Sequence, residues 1–226
     1  MLTVKFLSEG QIEKAAMQLM AGHVAKFGPV SPPVPVDEIL ECHLGLSFGI
    51  EDLREYGPDV LGATWLQTGR VAVDQSLDPS TFPDKEGRYR FTLAHELGHF
   101  ELHAHQLRDN GQATLFTESN HPTIVCRSSA KREPIEWQAD QFAAQLLMPR
   151  EMVYTYWREL FGDRPYVAVD EIARLSERFG STNRKAPTVS VARDMADHFA
   201  VSGQAMQIRL ETLGLIRTKP AEPELF

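Results

Sequence analysis

Apolar and polar positions divide the chain into a helical opening, an extended middle and a helical remainder. Ser8 with Gln11 makes a capping-box start. Behind it Ile12, Ala15, Ala16, Leu19, Met20, Val24 and Phe27 recur at helical spacing until Gly28-Pro29 stops the run. The proline-rich stretch PVSPPVPV at 29–36 reads as a stiff connector. Asp37 then caps a helix through Leu44, with Gly45 as its stop. Residues 46–50 read as a strand, and 60–67 with 70–74 flank Thr68-Gly69 as a hairpin. A turn-rich stretch at 75–86 precedes a helix expected over about 87–103. Residues 104–132 lack sustained periodicity and are expected to form a long loop, often a functional or mobile feature in a compact domain. A strong helix is expected over 133–148, and Pro149 sits where another can begin. The last third, 167–217, reads as three short helices. The final one follows a turn at 201–203 and carries apolar Ala205, Ile208, Leu210 and Leu213. The expected fold is α+β and mainly helical, with a small twisted sheet beside the 87–103 helix.

Composition narrows the partners more than the fold. At 226 residues, with 42% hydrophobic and 24% charged positions, the chain reads as an ordinary globular protein. A formal net charge of −8 argues against broad electrostatic attachment to DNA or to anionic membranes, both of which need basic clusters. Cys42 and Cys126 are far apart in unlike contexts, so no disulfide framework is indicated. The apolar run in MLTVKFLSEG is too short for a signal peptide, and no segment approaches the ~20 apolar residues of a membrane helix. A cytoplasmic protein with reduced thiols is the expectation.

The candidate chemistry lies in FTLAHELGHFELHAH. His95 and His99 are one helical turn apart, so both imidazoles project from one face and can share a cation. Two neutral ring nitrogens suit Zn²⁺. Glu96, on the adjoining edge, is placed to act as general base on a zinc-activated water and as proton donor to the leaving amine. Phe91, Ala94, Leu97 and Leu102 supply a core-facing stripe, and Gly98 leaves backbone space beside the site. The competing account is chance occurrence of HExxH on an amphipathic helix, because a five-residue pattern with two free positions does recur.

Three residues compete to be the third ligand. Glu136, in EPIEWQADQFAAQLLMP, would complete a His₂Glu set, and Asp140 one turn later could accept the free ring N–H of a ligand histidine. The plain alternative is that both belong to a solvated helix face. His105 gives the spacing HExxHxxxxxH, but the metzincin pattern needs a helix-breaking Gly where this chain has Leu102. His103, if the helix continues, lies ~12 Å along the axis from His95 and fails on geometry; it lines the cleft or is a surface histidine. Glu136 is the favoured ligand. Manganese also suits such a set, since geometry decides the metal only in part.

The segments RFTLAHELGHFELH and EWQADQFAAQLLMP, with weaker support from VPVDEILECHLGLSF and VSGQAMQIRLETLGLI, resemble the ImmA/IrrE-type metallopeptidase family over about residues 35–216. The family's Glu-x-x-Ala-Asn appears here as Glu136-Trp137-Gln138-Ala139-Asp140, with Asp able to accept the same N–H bond. The resemblance implies a zincin-like core with His95, His99 and Glu136 on zinc and Glu96 catalytic. It implies cleavage of a helix-turn-helix transcriptional repressor, releasing stress-response or mobile-element genes. It also implies a division into a catalytic domain at 1–165 and a small helix-turn-helix-like subdomain at 166–226. Some members carry a C-terminal sensor domain, which a chain ending at Phe226 is expected to lack.

Other residues were weighed against plainer roles. Tyr154 or Tyr156 could donate to an oxyanion if it faced the metal, although packing is the simpler account. A thiolate from Cys126, in the expected loop before Glu136, could occupy the open zinc position and hold the enzyme latent; an uninvolved loop cysteine is the simpler account. Gln204, Gln207 and Arg209 are the candidate DNA or repressor contacts of the tail. Residues 167–217 show no basic stripe, so a packing subdomain is favoured over direct DNA binding. Two further readings stay open. One is a metal-containing regulator without catalysis; the other is a DNA-binding protein acting through the C-terminal helices.

Overall fold

A computed structural model describes residues 4–109, 121–127, 133–168 and 189–217. They fall into two compact units, Met1–Pro149 and Arg150–Phe226. The division comes before the helix at 150–161, which therefore goes with the C-terminal unit rather than with a domain ending at 165.

The N-terminal unit is a mixed α+β structure. Helix α1 (Glu9–Phe27) begins where the capping box places it: Gln11 Oε1 accepts the Ser8 N–H at 2.9 Å. A short α2 (Val36–Glu38) runs into a π-helical turn (Ile39–His43). The four-stranded sheet has the order β1-β3-β2-β4. Strand β1 (Ser47–Glu51) pairs parallel with β3 (Arg70–Asp74), and β2 (Val60–Trp65) pairs antiparallel with both β3 and β4 (Ile124–Arg127). Gly69, at φ 66°, takes the left-handed turn position of the β2–β3 hairpin, which costs a glycine no Cβ clash.

Two expectations for the middle of the chain are corrected. The helix carrying HELGH, α3 (Glu86–Asp109), continues past residue 103, because Leu102 and its neighbours give it no reason to stop. The stretch expected to be loop also contains β4, whose four residues are too few to show strand alternation. Residues 110–120 and 128–132 of that stretch lie outside the described residues.

Helix α3 lies between the sheet and α4 (Pro134–Leu147), and α1 packs on the far side of α4. Covered on both sides, α3 is buried continuously from Thr92 to His99, polar residues included. Leu93, Ala94 and Leu97 fill the apolar part of that surface, with Phe142, Ala143 and Leu146 facing from α4. Gly98 sets the spacing of the two helices. A Cβ there would stand 3.1 Å from Phe142 Cβ and 3.2 Å from the Ala139 backbone. On the sheet's other face, Leu53, Ala63, Trp65 and Ala72 form a second apolar cluster.

In the C-terminal unit, α5 (Arg150–Phe161) buries Val153 and Trp157, whose indole N–H donates to Arg164 O at 2.8 Å. Of the three short helices expected over 167–217, the first falls on 169–188, outside the described residues. The other two are α6 (Ser190–Phe199) and α7 (Gly203–Thr212), joined through Ala200 in a left-handed conformation. Ser202 Oγ caps α7 by accepting the Ala205 N–H at 3.1 Å. The apolar side of α7 is Met206 and Leu210, while Ile208 is 51% exposed. Two-residue strands β5 (Val167–Ala168) and β6 (Ile216–Arg217) pair parallel, a feature too short to show in the sequence pattern. Gln207 and Arg209 are buried, which removes two of the three candidate DNA contacts from the surface; Gln204 is exposed. Among the described residues, no helix is long and apolar enough to cross a membrane.

Candidate metal centre

The close approach at Gly98 brings two helix faces into register. His95 and His99 flank Gly98 on α3, while Glu136 and Asp140 flank Ala139 on α4. His95 Nε2 lies 3.0 Å from His99 Nε2 and 3.2 Å from Glu136 Oε2, and His99 Nε2 lies 3.5 Å from Glu136 Oε1. An ion bonded tetrahedrally at ~2.0–2.1 Å separates its ligand atoms by about 3.3–3.4 Å. The two ring nitrogens and the two Glu136 oxygens, one facing each ring, thus stand close to the spacing such an ion requires.

Proton accounting also points to a cation. Asp140 Oδ1 sits 2.9 Å from His95 Nδ1, so this ring nitrogen carries the donated proton. A neutral His95 then turns its Nε2 lone pair toward the carboxylate of Glu136, which is unfavourable unless a proton or a metal ion lies between them. Without an ion, a proton takes that place. Burial works against charging His95, but Cys126, Asp140 and Glu136 outweigh it and hold the imidazole well above its usual value. Glu136 is displaced the opposite way: burial would raise it, yet the two imidazoles hold it far below the ordinary carboxylate range. The residues present fit a divalent metal.

His103 neither lines a cleft nor lies on the surface. It is fully buried one turn behind His99, with the two Nδ1 atoms 3.2 Å apart. Burial first, and then the charge of His99, push its pKa down to about 3, so it stays neutral and can accept the His99 Nδ1–H. That contact leaves His99 Nε2 as a lone-pair donor toward Glu136 and His95. His105 is exposed on the continuing helix.

Glu96, on the adjoining edge of α3, rests against β2. Thr64 Oγ1 donates to Glu96 Oε2 at 2.6 Å. Two residues earlier, on the same face of the strand, Gly62 makes room for the other oxygen: a Cβ there would come within 2.3 Å of Glu96 Oε1. The side chain is 0% exposed, and Oε1 has no hydrogen-bond partner among the described residues. Burial pushes the carboxyl up to about 7, with His95 and the Thr64 bond pulling against it. A carboxyl with that pKa can both take and return a proton near neutrality.

One residue is closer to the site than the sequence suggested. Cys126 is on β4 rather than in a loop, paired across from Gly62, so its side chain shares the face that Glu96 occupies. One ligand atom each from His95, Cys126 and Glu136 lies within 4.8 Å of the others. The aperiodic stretch around Cys126 hid this, since only strand pairing fixes the direction of its side chain. Tyr154 and Tyr156 belong to the C-terminal unit, where Tyr154 donates to Leu213 O at 3.3 Å and Tyr156 stacks on His198 at 3.8 Å.

A family model described as the IrrE N-terminal-like domain, Peptidase M78, matches residues 83–211, more than half of the chain. The protein belongs to this family, the ImmA/IrrE-type peptidases. Among solved structures it is similar to a Mycobacterium tuberculosis transcriptional regulator at 15% identity and a TM-score of 0.43. The match covers 96% of this chain and 50% of that one, so the chain spans about half the regulator's length. A comparison with curated proteins gives no match.

Proposed function

We propose that the protein is a zinc-dependent endopeptidase in which His95, His99 and Glu136 hold the metal and Glu96 is the general base. The observation that carries this reading is the pairing of two features within one helical turn. His95 Nε2, His99 Nε2 and the two oxygens of Glu136 converge at 3.0–3.5 Å, and on the residue after His95 stands a buried carboxylate oxygen with no hydrogen-bond partner among the described residues. A purely structural metal site has no use for such a base.

When bound, the ion supplies Lewis acidity, polarising the scissile carbonyl and acidifying the attacking water. The chain's own groups do the rest. Glu96 Oε1 accepts the proton of the attacking water, while Thr64 holds Oε2 in place. The same carboxyl then delivers that proton to the departing amine nitrogen. Asp140 and His103 fix the ring orientations of His95 and His99 through the nitrogens that face away from the site. Manganese satisfies the same donor set.

The proposed substrate is a helix-turn-helix repressor, a proposal that follows from family membership. The test incubates the purified protein, with and without added zinc, with a repressor encoded beside its gene. The expected result is a discrete cleavage product made by wild type and not by Glu96→Gln. An E96Q protein that relieves repression as fully as wild type would overturn the reading in favour of a metal-containing regulator without catalysis.

A further inference from the structure

We propose that Cys126 Sγ is a fourth ligand to the cation held by His95, His99 and Glu136, so that peptide hydrolysis begins only when the sulfur leaves. The inference rests on the metal reading above and adds a closed resting state to it. Four protein ligands make a structural zinc site, whereas three and an open position make a catalytic one.

Three observations carry it. The first is proximity: Sγ, an imidazole nitrogen of His95 and a carboxylate oxygen of Glu136 are mutually within 4.8 Å. The second is direction. The β2–β4 register slips between Val60 and Gly62, an irregularity of the kind that re-aims a side chain beside an active site. Cys126 then lies opposite a residue with no side chain. Nothing from β2 separates the sulfur from the Glu96 carboxylate, which fills the space a Cβ at Gly62 would need. The third is the orphaned oxygen. Glu96 Oε1 is fully buried on this same face and has no hydrogen-bond partner among the described residues, which leaves a polar atom beside Cys126 for a further group to meet.

The exchange balances simply. As sulfur binds, an S–H bond is replaced by a sulfur–metal bond and one proton is released; when sulfur leaves, a proton returns to it and a water or substrate oxygen takes the vacated position. Cys42 is exposed and remote in sequence, and it serves as an internal reference thiol.

The test adds Co²⁺ to the metal-free full chain. Wild type should develop thiolate-to-cobalt charge-transfer absorption in the near ultraviolet. One of its two thiols should become slow toward an aromatic disulfide reagent while the Cys42 thiol stays reactive. Cys126→Ser should keep the visible cobalt bands, lose the charge-transfer absorption and bind cobalt more weakly, by at least the ~10–100-fold that loss of an outer partner costs. Visible cobalt bands in wild type without charge transfer, and with both thiols reactive, overturn the role of Cys126 and leave the His₂Glu reading standing. No cobalt binding at all overturns both.

Discussion

The α3–α4 pair and the α6–α7 pair both bury polar side chains between helices, and they do so to opposite ends. In the C-terminal pair, Gln207 is buried but closed: its oxygen accepts the Val189 N–H at 3.0 Å and its amide donates to Glu211 at 3.0 Å. In the N-terminal pair the buried polar atoms converge on one another, and they leave His95 Nε2 facing a carboxylate and Glu96 Oε1 without a hydrogen-bond partner among the described residues. A buried polar group satisfied within the fold holds structure together. A set that the fold concentrates and leaves incomplete calls for something from outside.

Substitutions can break that contrast at several depths. The largest effect should come from Phe142→Ala, which empties a fully buried position where α4 meets Gly98; a loss of about 3–5 kcal/mol in urea unfolding is expected. Asp140→Ala should leave the fold intact while weakening zinc about 10–100-fold in a chelator competition, because His95 loses the acceptor that fixes its ring. Gln207→Ala tests the satisfied side. Unfolding should show a cost of about 1–3 kcal/mol from the uncovered Val189 N–H, with zinc affinity unchanged. If zinc affinity fell as well, the two helix pairs would not be separable in this way.

The remaining effect is a pH slope in the metal-free protein. Burial lifts the Glu96 carboxyl from 4.5 to about 7, so the folded chain binds a proton there that the unfolded chain has already released. The resulting stabilisation is complete below about pH 4.5 and is lost as pH rises through about 7. Thermal unfolding across this window should therefore be flatter for Glu96→Gln than for wild type. An equal slope in both would mean that Glu96 titrates normally.

What could be read from the sequence follows from how local each signal is. The spacing of His95 and His99 and the cap at Ser8 depend only on the helical repeat, and α1, α4 and the start of α3 appear where that repeat places them. Glu136 and Asp140 could be suspected from their spacing, but their approach to α3 depends on Gly98 meeting Ala139, which requires the two helices together. Thr64 and Gly62, which seat Glu96, were not singled out at all. They sit in an ordinary strand, and their role exists only because α3 crosses it. Cys126 stands in an aperiodic stretch, where nothing in the sequence gives its side chain a direction. Four residues of β4 leave no pattern of their own; pairing with β2 makes them a strand.

The position of β4 in the sheet carries a dynamic consequence. Helix α3 has neighbours on both sides, whereas among the described residues β4 is an outer strand with one ladder of hydrogen bonds. Local opening events start at such margins, and they leave doubly covered helices until the whole unit unfolds. Amide exchange is therefore expected to be slower around His95 and His99 than around Cys126. Transient fraying of a single strand would shift Cys126 while His95 and His99 stayed in place.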